Sequence, residues 1–182
     1  AVGTDKAVSP FNTYGATKLL MEKLFISANH YKGYHKINFL GVRYGNVLGS
    51  RGSILPLFID QIKTKNKITI TDPKMTRFNI TMNQALDFIL RVLEKGNGGE
   101  VFIPKLKAYS LEVLKDAIIE VLEKDVKTEI ISVRPGEKYH ESLISNEETR
   151  NTFEDNEDYV ILEDRLQENN KRKKSSLVSQ YS

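Results

Sequence analysis

The sequence predicts an α/β fold, and three observations carry that prediction. Short apolar runs suited to buried strands alternate with segments of helical periodicity. One of these runs empties into a glycine-bearing loop, the position at which open α/β folds bind ligands. The composition, 40% hydrophobic and 28% charged over 182 residues, supports one ordinary globular core.

Taken in order, Ala1 to Gly3 reads as the end of a strand, and Thr4 to Asn12, broken by Pro10, as a loop. From Thr13 to Tyr31 the residues Ala16, Leu20, Met21, Leu24, Phe25 and Ala28 recur at helical spacing, with Thr13 placed as the N-cap. Ile37 to Arg43 is a short apolar run fit for a buried parallel strand, followed by the loop Tyr44 to Ser53. Next come a helix over Leu55 to Lys65, a strand over Ile68 to Thr71, a loop over Asp72 to Arg77 and an extended segment over Phe78 to Thr81. A helix over Asn83 to Lys95, a strand over Glu100 to Pro104, a helix over Ser110 to Glu123 and a strand over Thr128 to Val133 continue the alternation. Arg134 to Glu141 is a charged loop with a Pro-Gly turn, and the polar residues 164–182 are expected to be a disordered tail.

The absence of cysteine removes disulfides and thiolate metal sites, and His30, His35 and His140 sit in unrelated contexts, so no metal is expected. Neither a membrane-spanning apolar run nor a signal peptide is present, and we read the chain as cytoplasmic. The net charge of +3 owes much to the cluster Lys171 to Lys174, and no basic face interleaved with aromatics is evident, so no nucleic-acid partner is expected. The chain opens on Ala1 rather than Met and directly on a loop. It is therefore expected to be the C-terminal part of a longer protein.

Tyr14 and Lys18 form a Tyr-x-x-x-Lys pattern at the start of the strongest helix, with Thr4 ten residues upstream of Tyr14. The pattern alone is common, and a surface tyrosine beside an exposed lysine would produce it. In this context the spacing matters, because residues four apart share one helix face. A neighbouring ammonium favours phenolate over phenol, which makes Tyr14 usable as a general base toward a substrate hydroxyl, with Thr4 bonded to the same oxygen. Asp5 and Lys6 are adjacent ionisable groups, read either as a solvated turn or as an acid and base pair. Arg77 and Arg134 offer the paired donors that suit phosphate oxygens, and exposed arginines are the plain alternative. Glu137 and Glu141 suit ligand hydroxyls or the orientation of those arginines, with surface salt bridges as the plain alternative, while His140 reads as structural.

The flanking residues add specificity. Thr4-Asp5-Lys6-Ala7-Val8-x-Pro10, Asn12-x-Tyr14-Gly15-Ala16-Thr17-Lys18 and Met21-Glu22-Lys23-Leu24 are followed in order by three further motifs. These are Arg43-Tyr44-Gly45-Asn46-Val47-x-Gly49-Ser50-x-Gly52-Ser53, Met75-Thr76-Arg77-Phe78 and Arg134-Pro135-Gly136-Glu137-Lys138-x-His140-Glu141. The set closely resembles the inverting UDP-N-acetylglucosamine 4,6-dehydratases, in the polysaccharide-biosynthesis branch of the extended short-chain dehydrogenases.

The resemblance implies that residues 1–163 are the C-terminal part of an NAD(P)-binding Rossmann-type domain, a doubly wound parallel sheet with an interleaved nucleotide-sugar-binding subdomain. It implies Thr4, Asp5, Lys6, Tyr14 and Lys18 as catalytic residues, with Asp5 the acid and Lys6 the base of water elimination. Tyr14, Lys18, Tyr44, Asn46 and Val47 would meet the cofactor, and Asn46, Arg77, Arg134 and Glu137 the substrate. NADP is the expected cofactor, with NAD the alternative, and UDP-N-acetylglucosamine or a related UDP-sugar the expected substrate, in a homo-oligomer when full length. The rival readings are a UDP-sugar 4-epimerase using the same Tyr14 and Lys18, and an inactive fragment or UDP-sugar-binding module.

Two departures stand out. Gly3 occupies the position where the family usually has serine. The glycine-rich strand-to-helix turn that receives a dinucleotide pyrophosphate is absent, and Gly96-Asn97-Gly98-Gly99 cannot replace it, because it ends a helix and precedes a strand.

Overall fold

The computed structural model describes residues 1–167 and 171–177. In chain order the elements are α1 (Thr13–Ser27), β1 (Gly41–Val42), β2 (Asn46–Val47), α2 (Ile54–Lys65), β3 (Lys67–Ile70), β4 (Thr76–Ile80), α3 (Met82–Lys95) and β5 (Glu100–Pro104). There follow β6 (Ala108–Ser110), α4 (Leu111–Leu122), β7 (Lys127–Ile130), α5 (Asn146–Thr149), β8 (Thr152–Glu154), β9 (Asp158–Leu162), α6 (Asp164–Gln167) and β10 (Lys173–Lys174). The chain divides into two interleaved units, one of residues 1–44, 83–105 and 142–182, the other of residues 45–82 and 106–141. Among the described residues no helix is long and apolar enough to cross a membrane.

The first unit is built on a sheet of order β1-β5-β9-β8-β10. Val2 bridges Val42 in parallel, β1 runs parallel to β5, and the remaining pairs are antiparallel. Residues 1–44 and 83–104 thus supply the parallel α/β part, while β8 and β9, for which the sequence gives no expectation, and β10 add an antiparallel extension. Its core joins Val42, Phe88, Val92, Phe102, Phe153, Val160 and Leu162. Burial on both sides explains why Glu100–Pro104 reads as a continuous apolar run.

In α1 the structure departs from the sequence expectation. The cap is Asn12, whose Oδ1 accepts the Gly15 N–H at 2.8 Å, and Thr13 is the first helical residue. The apolar stripe that signalled the helix faces outward, with Leu20 58% and Leu24 62% exposed. The buried residues are Gly15, Glu22 and Ile26, because this face must fit a close backbone contact and a buried guanidinium, which a wall of leucines could not.

The second unit carries the parallel pair β3 and β7 and a small sheet of order β2-β4-β6. Its core gathers Phe58, Ile62, Ile68, Ile70, Met75, Leu111 and Ile118. Ser53 precedes α2 without capping it through its side chain, and Pro56 at the third helical position has no N–H to offer a cap.

Within the segment 164–182, expected to be disordered, Asp164–Gln167 form α6 and Lys173–Lys174 the strand β10, which pairs with β8. Glu168–Asn170 and Val178–Ser182 belong to the same expectation and lie outside the described residues. Polar partners offset the low apolar content: the Arg172 guanidinium bonds Glu100 at 2.7 Å, and Glu154 Oε1 accepts from Ser176 N at 2.7 Å, Ser176 Oγ at 2.9 Å and Ser175 Oγ at 3.0 Å. The Ser176 amide, aided by its hydroxyl, Lys105 and Ser175, outweighs desolvation and holds the Glu154 carboxyl down at about 2. A depressed carboxylate stabilises fully above its unfolded value, near 4.5, and loses that contribution as pH falls through 2. Acid titration followed by NMR is therefore expected to move the Ser176 amide resonance and open the contact between β10 and β8 in that window, leaving it unchanged above pH 5.

Candidate active site

The sequence-predicted residues fall into two groups, one in each unit. In the first unit Thr4, Asp5 and Lys6 form a compact turn. Gly3 N donates to Val42 O at 2.7 Å and Asp5 N to Tyr44 O at 3.0 Å, so strand pairing with the β1 segment fixes where the turn begins. Thr4 then caps a short 3-10 helix, Asp5–Ala7. Its hydroxyl accepts the Lys6 N–H at 3.5 Å and donates to Asp5 Oδ1 at 2.9 Å, so the Thr4 side chain is engaged within the turn. Lys6 Nζ donates to the same Oδ1 at 2.9 Å. Asp5 is fully buried, and its Oδ2 has no hydrogen-bond partner. A buried carboxylate oxygen left unpaired is costly, which is characteristic of sites that bind another group. The side chain of Lys6 is 33% exposed.

Gly15 explains how α1 approaches this turn. A Cβ at that position would lie 2.3 Å from the Lys6 carbonyl oxygen and 3.1 Å from Pro10 Cβ. Only hydrogen fits there, so the first turn of α1 sits directly against the backbone of the turn that presents Asp5 and Lys6. Tyr14, 54% exposed, is thereby placed beside them, and Lys18 Nζ lies 5.8 Å from its ring centroid. Gly3 is buried for a similar reason, since a Cβ would meet Val42 O at 2.9 Å. A serine at this position would need a backbone shift, so glycine here is a packing requirement as well as the loss of a hydroxyl.

Beneath the turn lies a charged network to which the sequence reading gave no role. Arg43 is fully buried. It bonds Glu22 through Nε at 3.1 Å and Nη2 at 2.6 Å, Glu148 through Nη1 at 2.9 Å and Nη2 at 2.8 Å, and the Leu143 carbonyl at 2.9 Å. Burial by itself would lower the affinity of Arg43 for its proton, but the hydrogen bonds and charges of Glu148 and Glu22 overcome it and raise its pKa. For Glu148, desolvation is likewise outweighed by Arg43 and the Ser145 cap, and its pKa falls. The available signal was a glutamate within a helix and an arginine ending a buried strand, each out of place in the apolar pattern. Tyr44, next in the chain, packs edge-on against Phe88 with centroids 6.2 Å apart, and burial pushes its phenol up.

In the second unit Asn46 and Val47 form β2, parallel to β4 in register with Asn79 and Ile80. Gly45 permits this approach, since a Cβ would lie 2.2 Å from Phe78 O. Arg77 and Arg134 differ. Arg77 is buried and committed, with Nη1 on Thr76 O at 2.9 Å and Tyr139 O at 3.0 Å, and Nη2 on Glu137 Oε1 at 3.1 Å. Arg134 is exposed and follows β7 at the turn closed by Pro135 and Gly136, with Glu137 N donating to its carbonyl at 3.0 Å. His140 Nδ1 lies 2.9 Å from Thr76 Oγ1 and helps fasten the Arg134–Glu141 loop to β4. Glu141 is buried with Lys138 Nζ 3.6 Å from Oε2.

The chain belongs to the polysaccharide biosynthesis protein family, whose profile matches residues 1–163. It is 43% identical over 162 residues to the inverting UDP-N-acetylglucosamine 4,6-dehydratase of Campylobacter jejuni subsp. jejuni strain 81-176, covering 88% of this chain and 47% of that protein. It is also 43% identical over 147 residues to the UDP-glucose 4-epimerase of Rickettsia rickettsii, covering 81% of this chain and 43% of that one. The crystal structure of Pen from Bacillus thuringiensis superposes with a TM-score of 0.84 at 43% identity, over 90% of this chain and 52% of that one. The chain spans about half the length of the curated relatives it matches. The fold is the α/β architecture of the C-terminal region of the extended short-chain dehydrogenases, and the chain is related to nucleotide-sugar dehydratases and epimerases.

Two outcomes follow from the packing. Arg43→Met strands Glu22 in the interior, and urea unfolding is expected to show a loss of about 3–5 kcal/mol. Gly15→Ala forces the first turn of α1 away from Lys6 O, with an expected loss of about 1–3 kcal/mol in the same measurement and altered amide shifts at Thr4 to Ala7.

Proposed function

We propose that this chain is the catalytic and substrate-binding part of a C5-inverting UDP-N-acetylglucosamine 4,6-dehydratase. The observation that carries the reading is the Asp5 carboxyl, with Oδ1 held by Thr4 and Lys6 and Oδ2 buried and unpartnered. An epimerase needs a proton relay at one hydroxyl. A dehydratase needs in addition a base for the C5 hydrogen and an acid for the departing 6-hydroxyl, and Asp5 and Lys6 meet that need.

Tyr14, beside Lys18 on the exposed first turn of α1, takes the proton of the sugar 4-hydroxyl. Lys6, partly open to solvent, removes the C5 proton once C4 is a ketone, and Asp5 Oδ2 delivers a proton to the leaving hydroxyl. Thr4 holds Asp5 Oδ1 and so orients Oδ2. Arg134 offers an exposed guanidinium to the UDP diphosphate, while Arg77 and Glu137 brace the loop that carries it, and Asn46 and Val47 supply polar backbone at the sugar.

A nicotinamide dinucleotide, NADP in our reading, would when bound supply the hydride chemistry that C4 oxidation and C6 reduction require. The donor set fits its nicotinamide end only in part: Tyr14 and Lys18 suit the ribose and ring, with Tyr44, Asn46 and Val47 on the following segments, while the chain has no glycine-rich turn for the pyrophosphate. The resemblance also carries self-association, for which Leu20 and Leu24 on α1 offer exposed apolar area.

A chimera that places residues 1–163 after the dinucleotide-binding half of the Campylobacter jejuni enzyme provides the test. It is expected to convert UDP-N-acetylglucosamine to a 4-keto-6-deoxy product. Asp5→Asn should lower that yield by about 100-fold or more while C4 oxidation persists, read as a 4-keto sugar retaining its 6-hydroxyl. Formation of the 4-epimer with no 6-deoxy product would establish the epimerase reading instead.

A further inference from the structure

The segment between α1 and β1 carries the two most exposed large hydrophobic side chains among the described residues, Tyr34 at 107% and Tyr31 at 86%, with Ile37 at 50%. The segment is ordered by its own bonds. Asn29 clamps its base, donating to Ile26 O and Phe39 O at 2.8 Å each and accepting from Phe39 N at 3.1 Å. Gly33, at φ +56, turns the chain, His35 N donates to Lys32 O at 3.1 Å, and Lys32 Nζ reaches Asn38 Oδ1 at 3.1 Å.

The charge is one-sided. No acidic residue occurs between Lys23 and Ile59, while Lys32, His35 and Lys36 accompany the two tyrosines and Ile37. At the base of the segment His30 Nε2 lies 2.7 Å from Glu163 Oε2.

We propose that the loop from Tyr31 to Asn38 is a peripheral docking surface for an anionic lipid bilayer. Tyrosine is suited to the interface between headgroups and acyl chains, with an apolar ring and a hydroxyl that stays wet. Ile37 adds an apolar side chain with no counterpart on a phosphodiester backbone, and lysines beside these residues meet lipid phosphates. Two lysines are few for nucleic acid, where binding rests on about six to ten neutralised phosphates. The loop lies at the C-terminal end of α1, and Tyr14 at the start of that 15-residue helix is about 20 Å away along its axis. The loop is thus separate from the Tyr14 end of α1.

Flotation of the chain with vesicles of phosphatidylcholine, with and without phosphatidylglycerol, tests the proposal. Recovery with the anionic vesicles is expected to exceed that with neutral ones and to fall as salt rises. Lys36→Gln should weaken partitioning about fivefold, and Tyr34→Ser should weaken it further, with thermal unfolding unchanged because both side chains are exposed. Equal recovery with both vesicle types, or variants that float like the parent, would overturn the proposal. So would retention on duplex DNA or RNA that outcompetes the vesicles, which would identify a nucleic-acid surface.

Discussion

The first unit depends on one buried cation. Arg43 has five N–H groups and no contact with water, so each must find an acceptor inside the protein, and the acceptors come from distant segments: Glu22 on α1, Glu148 on α5 and the carbonyl of Leu143. A guanidinium in such a place tolerates little displacement, because losing one partner leaves a charge uncompensated in a low-dielectric interior. The rotation of α1 about its axis is set accordingly. Glu22 must face inward, two turns from Tyr14, and the leucines that would otherwise occupy the inner face are left outside.

With α1 pinned at Glu22, its amino end is positioned by Gly15 against Lys6 O. These two contacts, one electrostatic and one steric, hold a helix carrying Tyr14 and Lys18 against a turn carrying Asp5 and Lys6. The turn is anchored independently by backbone bonds from Gly3 and Asp5 to Val42 and Tyr44. The proton transfers proposed for these residues would need such fixed separations. In the second unit the same logic recurs, with Gly45 against Phe78 O and Arg77 tying β4 to Tyr139 and Glu137.

Much of this architecture was legible in the sequence. The strand Glu100–Pro104 and the helices near 55–65, 83–95 and 110–123 were read closely because each has an unambiguous apolar period or cap. The hairpin of β8 and β9 was missed although Tyr159 to Leu162 is strongly apolar, because a charged stretch, Glu154 to Asp158, masks its turn. Residues 171–177 are ordered against the expectation because composition registers their polarity, while the acceptors that organise them, Glu100 and Glu154, lie far away in sequence.

The sequence by itself determined the α/β class and the kind and order of the main helices and strands as far as β7, since period, turn residues and residue chemistry are local properties. Only the tertiary structure decided which face of α1 is buried, that Arg77 is committed while Arg134 stands exposed, and which oxygen of Asp5 is left without a partner. Those outcomes depend on long-range pairing of buried charges and on backbone contacts too close for a Cβ. Neither leaves a periodic trace along the chain.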